Sequence, residues 1–131
     1  MKLNFAMIGG GGGFIGNVHR TGATIDNKAR LVAGCFSRNE DRNKEYAELW
    51  DVSPERTYKD YKELIISESK RDDKVDFIVI VTPNITHYEI AKMCLEYDFD
   101  IVCDKPVTIK LEDSLELKKM EEKKDKLFGV T

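Results

Sequence analysis

Leu3-Asn4-Phe5-Ala6-Met7-Ile8-Gly9-Gly10-Gly11-Gly12-Gly13-Phe14-Ile15-Gly16 is the stretch that decides how the chain is to be read. A short apolar run stops abruptly at five consecutive glycines, and Gly16 follows after Phe14-Ile15. A run this short, bounded by turn residues, predicts a buried strand. Glycines carry no Cβ, so the loop can turn tightly and bring backbone close to a ligand. The N–H groups opening the next helix then face that ligand with partial positive charge. Gly11-x-Gly13-x-x-Gly16 meets the GxGxxG spacing that holds a pyrophosphate in a strand–loop–helix setting. Gly9-x-Gly11 also fits its first half if the turn carries extra residues, so the register stays open. Asn17-Val18 stand where a Walker A loop would need Lys-Ser/Thr, which excludes that loop and points to a dinucleotide.

Outward from this stretch the chain alternates. Residues 30–36 predict a second strand, and residues 16–28 between the two are long enough for a crossover helix. A helix follows over 39–49, ended by Ser53-Pro54, then a very short strand at Thr57-Tyr58 and a helix capped by Asp60 with Leu64 and Ile65 inside. Residues 75–81 are β-branched and apolar and predict a central parallel strand. Thr86 is the expected cap of a helix whose buried face is Ile90, Ala91, Cys94 and Leu95. A strand at 101–103, a charged helix over 111–126 with Leu111, Leu115 and Met120 as its buried edge, and a strand at 127–130 complete the series. Roughly six strands alternating with helices predict one α/β domain over residues 1–131, a doubly wound parallel sheet with its ligand beyond the carboxyl ends of the strands.

Composition agrees and excludes other classes. Of 131 residues, 41% are hydrophobic and 34% charged, enough for a real core and too apolar for disorder. Lys plus Arg number 21 and Asp plus Glu 24, so a net charge of -3 gives no broad attraction to nucleic acid or to an acidic membrane. The apolar stretch at residues 3–8 is too short for a secretory segment, so a cytoplasmic chain is expected. Cys35, Cys94 and Cys103 are odd in number, lack a CxxC pair and have no histidine at ligand spacing. They are expected to be small buried hydrophobes, with neither a disulfide framework nor a metal site.

Three further rims fall at strand ends. A carboxylate about 20 residues beyond the third glycine would accept from the ribose 2′-OH of NAD. Ser37-Arg38 stand there instead, and the guanidinium fork suits a 2′-phosphate, which favours NADP over NAD. Glu40 or Asp41 turning in toward a 2′-OH is the other possibility. Thr82-Pro83-Asn84 with His87 follows the central strand, where Asn84 and a helix start could bond a ribose or carboxamide, although a plain turn and a surface histidine would read the same. Asp104-Lys105-Pro106 follows the next strand, and the Lys105 ammonium could stabilise or exchange charge at a reacting hydroxyl. Two YxxxK matches, at Tyr58 and Tyr88, have the wrong position for a short-chain dehydrogenase and are chance.

Together the glycine loop, Val81-Thr82-Pro83-Asn84-x-x-His87 and Cys103-Asp104-Lys105-Pro106 resemble, over essentially the whole chain, the glucose-fructose oxidoreductase, inositol dehydrogenase and rhizopine-catabolism family, written Gfo/Idh/MocA. Asp104 stands where that family usually has Glu, and Phe14-Ile15-Gly16 with His19-Arg20 resembles a subgroup with an expanded first loop. The resemblance implies a nicotinamide dinucleotide, NADP slightly favoured over NAD, with Gly9, Gly11, Gly13, Phe14, Ile15 and Gly16 at its pyrophosphate. It implies Ser37 and Arg38 at the adenosine ribose, and Thr82, Pro83, Asn84, His87, Asp104 and Pro106 along the nicotinamide side. Lys105 becomes the catalytic residue. Family members carry a second α/β domain that supplies the substrate pocket, so the chain resembles an isolated cofactor domain. It is expected to bind without catalysing and to self-associate through surface meant for that domain. A different class, a stand-alone nucleotide- or CoA-binding regulatory module, needs the same sheet and glycine loop.

Overall fold

Phe5, Ala6, Met7 and Ile8 are all buried, which a strand can achieve only with neighbours on both edges and helices on both faces. The computed structural model, which describes residues 1–131, supplies both. Its strands are β1 (Leu3–Gly9), β2 (Ala29–Cys35), β3 (Phe77–Val81), β4 (Asp100–Cys103) and β5 (Phe128–Val130). All pair in parallel, in the order β2-β1-β3-β4-β5. The helices are α1 (Phe14–Thr24), α2 (Glu40–Leu49), α3 (Tyr61–Ser69), α4 (His87–Glu96) and α5 (Leu111–Lys124).

The period-two alternation of strand side chains divides the core into two layers. Ala6, Ile8, Ile78, Ile80, Ile101 and Cys103 face Leu64 and Ile65 of α3, Ile90, Cys94 and Leu95 of α4, and Leu117 of α5. On the other face Phe5, Met7, Leu31, Val79 and Val81 meet Ala47 of α2 and Trp50 just beyond it, with Ile15 and Ala23 of α1 at the margin. Each such large side chain, fully buried, contributes about 1.5–3 kcal/mol of transfer free energy. Because β1 lies between β2 and β3, the chain leaves β1 in one direction and crosses back in the other. The carboxyl ends of β1 and β3 therefore flank a topological switch point.

The return crossing is held by a buried ion pair. Glu68 of α3 has no exposed surface, and Arg56 donates to it from Nη2 at 2.6 Å and Nε at 3.0 Å. The Tyr58 hydroxyl donates to the same carboxylate at 2.7 Å and the Val75 N–H at 3.2 Å. Such a pair adds little net stability but is costly to break, because either partner alone would be an uncompensated buried charge.

Two expectations are corrected. The sheet has five strands, because the segment at Thr57-Tyr58 makes only a bridge from Thr57 to Gly34. Tyr58 N–H still donates to Gly34 O at 2.8 Å, but its carbonyl is taken by Asn43 Nδ2 at 2.8 Å, so the ladder cannot continue. The buried edge of α5 is Leu117, with Met120 half-buried beside it, whereas Leu111 is 75% and Leu115 51% exposed. The helix is turned so that its inner face runs through 117 and 120, and Glu116 reaches across to Lys92 and Tyr88 of α4.

All three cysteines are free and buried. Burial, then the carboxylates of Asp60 and Glu63, push the Cys35 thiol up to about 12. Burial and Asp104 take Cys103 to about 12 from an ordinary 9.0, and burial with Cys103 nearby raises Cys94 as well. Tyr58 is raised by burial and by its bond to Glu68. A raised value favours the neutral form in the folded chain, so this stabilisation is complete below pH 9.0 and drains away between there and about 12. The urea midpoint is expected to be flat up to about pH 8 and to fall above pH 9, and iodoacetamide at about pH 8 should label the thiols only as fast as the chain opens. Prompt labelling of any cysteine in the folded chain would contradict this.

Candidate functional site

Backbone against backbone builds the first rim. A Cβ on Gly16 would fall 2.4 Å from Gly10 O and 2.5 Å from Gly10 Cα, so the first turn of α1 lies directly on the loop leaving β1. Gly11 N–H donates to Phe36 O at 2.8 Å and ties the same loop to the end of β2. Gly13 is the N-cap of α1, and a Cβ there would meet nothing within 4 Å. Gly16 is thus the close-packing glycine, and Gly13 the one that opens onto free space. The N-terminus of α1 has neither a side-chain cap nor an acidic residue in its first turn. By contrast α2 and α3 are capped by Asn39 and Asp60 and carry acidic residues there. The outward N–H groups and positive end of α1 remain available to an anion. Phe14 is exposed while Ile15 packs into the core, so what both bring to the rim is main-chain N–H.

The second rim, after β2, carries Ser37 and Arg38. Ser37 Oγ accepts from Asn39 N–H at 3.1 Å, and Arg38 is exposed. Glu40 is engaged with Lys44 at 3.4 Å and stays at the surface. A cavity of about 880 Å³ opens beside Ser37 and Arg38, with Asn43, Thr57 and Lys59 also on its walls. It lies between α2 and the segment over residues 51–59, on the β2 side of the sheet.

The third and fourth rims are joined. His87 has no exposed surface, and its ring nitrogens lie 2.7 Å from Pro106 O and 2.9 Å from Thr82 O. It was expected to line the ligand side; the structure places it beneath that surface, bridging the end of β3 to the turn after β4. Thr86 was expected to cap α4 through its side chain. Its hydroxyl instead donates to Pro83 O at 2.6 Å and lies 2.7 Å from Thr82 Oγ1, holding the turn. Pro83 and Asn84 are exposed at the mouth, as is Lys105.

Two contacts at these rims are not predicted by the residue pattern. Asp104 Oδ1 lies 3.3 Å from His19 Nε2 of α1, and the Thr131 hydroxyl donates to the same Asp104 oxygen at 3.3 Å. Lys105 N–H donates to Thr131 O at 3.0 Å, so the Asp104-Lys105 turn is fixed at both ends. Arg42 of α2 lies over Gly12. Only its spacing of four residues from Arg38 could have drawn notice.

The model of an oxidoreductase family with an NAD-binding Rossmann fold matches residues 3–131. An uncharacterized oxidoreductase of Bacillus subtilis, YfiI, is 40% identical over 131 residues, covering 98% of this chain and 33% of that protein. The crystal structure of an inositol dehydrogenase homolog from Azotobacter vinelandii complexed with NAD+ superposes with a TM-score of 0.97 at 35% identity, over 100% of this chain and 34% of that one. The same homolog complexed with NADH and myo-inositol gives a TM-score of 0.96 at 35% identity, over 100% and 35%. The chain spans about a third of the length of these relatives.

Two glycine substitutions should separate packing from binding. Gly16→Ala forces a methyl into Gly10 and is expected to cost about 1–3 kcal/mol in chemical denaturation. Gly13→Ala should leave folding within about 1 kcal/mol, since its methyl points into open space. His87→Ala removes the ring that lies between two carbonyls, with the hydrogen bond its N–H makes to one of them, and opens a void, an expected loss of about 2–4 kcal/mol by the same measurement. Equal stability losses for Gly13→Ala and Gly16→Ala would refute the placement of the loop.

Proposed function

The chain belongs to the Gfo/Idh/MocA family of oxidoreductases and is built as its NAD-binding Rossmann domain, and from that premise we propose that it is the cofactor half of an enzyme moving hydride between NAD(P) and a sugar, polyol or related substrate. The observation that carries this reading is the bare N-terminus of α1 behind the open space at Gly13, at the switch point and on the same edge of the sheet as Lys105. A group with a pyrophosphate fits there by its charge and by the lack of any side chain in its way.

In this reading the main-chain N–H groups of Gly9, Gly11, Gly13, Phe14, Ile15 and Gly16 carry the pyrophosphate. Ser37 and Arg38 read the adenosine ribose, and the guanidinium fork, free of any carboxylate, favours a 2′-phosphate and so NADP over NAD. Thr82, Pro83 and Asn84 line the nicotinamide side, with His87 beneath them. Asp104 and Pro106 fix the turn that presents Lys105, whose ammonium hydrogen-bonds and exchanges a proton with the reacting hydroxyl. The cofactor supplies the hydride chemistry. The relatives are about three times as long as the stretch matched here, and in this reading the substrate pocket lies outside the cofactor domain, which binds the dinucleotide. No helix is long and apolar enough to cross a membrane. Exposed Ile109, Leu111, Leu115 and Leu127 near the β5 edge are the surface through which copies would self-associate.

Thermal unfolding with NADPH, NADH and CoA tests the reading. A ligand at 100 times its Kd that binds only the folded chain should add about 2.7 kcal/mol. NADPH is expected to stabilise more than NADH, and Arg38→Gln to abolish the difference while sparing NADH. Stabilisation by CoA alone would favour a regulatory module, and NADH above NADPH would remove Arg38 from the phosphate role.

A further inference from the structure

A cation outside the four rims lies against the glycine loop. Arg42 is in the first turn of α2, placed there because its backbone N–H donates to the Asn39 cap at 2.9 Å. Its side chain reaches back over Gly12, where a Cβ would meet Arg42 Cδ at 3.2 Å, Nη1 at 3.3 Å and Cζ at 3.4 Å. Gly12 has φ +94°, so a side chain at this position would be strained as well as crowded. The missing Cβ is what lets a guanidinium rest on the loop. None of the ion pairs of the chain engages Arg42. One residue further along, Gly13 opens the uncapped N-terminus of α1.

Two independent sources of positive potential thus flank one point, a planar fork of N–H donors from α2 and the free end of α1. That combination suits a diphosphate, which can take parallel bonds from the fork while the helix end faces its other oxygens. Arg38 stands elsewhere, at the end of β2 beside the cavity shared with Ser37 and Lys59. We propose that Arg42 closes over the pyrophosphate of the dinucleotide from the α2 side, giving affinity common to NADH and NADPH, while the choice between them stays with Arg38. This rests on the dinucleotide-domain reading above.

The test is titration of the chain and of Arg42→Gln with NADH, NADPH, ADP-ribose and adenosine 2′-monophosphate. Arg42→Gln is expected to weaken the three pyrophosphate ligands by about tenfold each, by the same factor, and to leave adenosine 2′-monophosphate unchanged. Arg42→Lys should recover part of the loss, because it restores charge without the fork. The melting temperature of the unliganded variant should match that of the parent, since Arg42 is exposed and unpaired. Loss confined to NADPH and adenosine 2′-monophosphate would make Arg42 a 2′-phosphate reader and overturn the proposal, as would unchanged affinity for all four. If the parent chain binds no dinucleotide, the domain reading fails first and takes this proposal with it.

Discussion

The contact between Gly10 and Gly16 sets the geometry of everything around the crevice. With no Cβ on either residue, main chain meets main chain, and α1 starts within one turn of the end of β1. A single methyl there would push the helix off the loop. The position of the bare helix end, the closeness of Arg42 to Gly12 and the approach of His19 to Asp104 all depend on this docking, because each involves α1 or the loop beneath it.

A second constraint acts from outside the crevice. For β1 to have a switch point, the chain must leave β2 and cross to the other side of β1, and the crossing segment must be anchored. Glu68 gathers Arg56, Tyr58 and Val75 around one carboxylate. Asn43 accepts from Phe36 N–H at 2.8 Å and donates to Tyr58 O at 2.8 Å, fastening α2 to the end of β2. These polar groups are buried and satisfied, so they specify one crossing path without adding a strand. The cavity beside Ser37 and Arg38 lies between α2 and this anchored segment.

Much of this was legible in the sequence because it is local. The run from Leu3 to Gly16, the β-branched central strand and the turns after it each declare themselves within a few residues. What escaped depends on partners far along the chain. Thr57-Tyr58 reads as a strand until Asn43, some way upstream, takes the Tyr58 carbonyl. The phase of α5 is not fixed by its sequence, because Leu111, Leu115 and Leu117 are equally apolar and only packing on α4 chooses among them. His87 reads as a surface residue unless one knows that Pro106 O comes to meet it. The pairing of His19 with Asp104 spans 85 residues, and no spacing rule reaches so far.

His87 also decides which parts of the crevice wall are tied to one another. By gripping Thr82 and Pro106 together it fuses the ends of β3 and β4 into one stiff jaw, while the bond from Gly11 to Phe36 makes the glycine loop and the end of β2 the other. Among side chains at this edge, the polar link between the jaws is the 3.3 Å pair of His19 and Asp104, joined by Thr131. A displacement of α1 is therefore felt through that pair at the turn after β4, next to the lysine that faces the mouth.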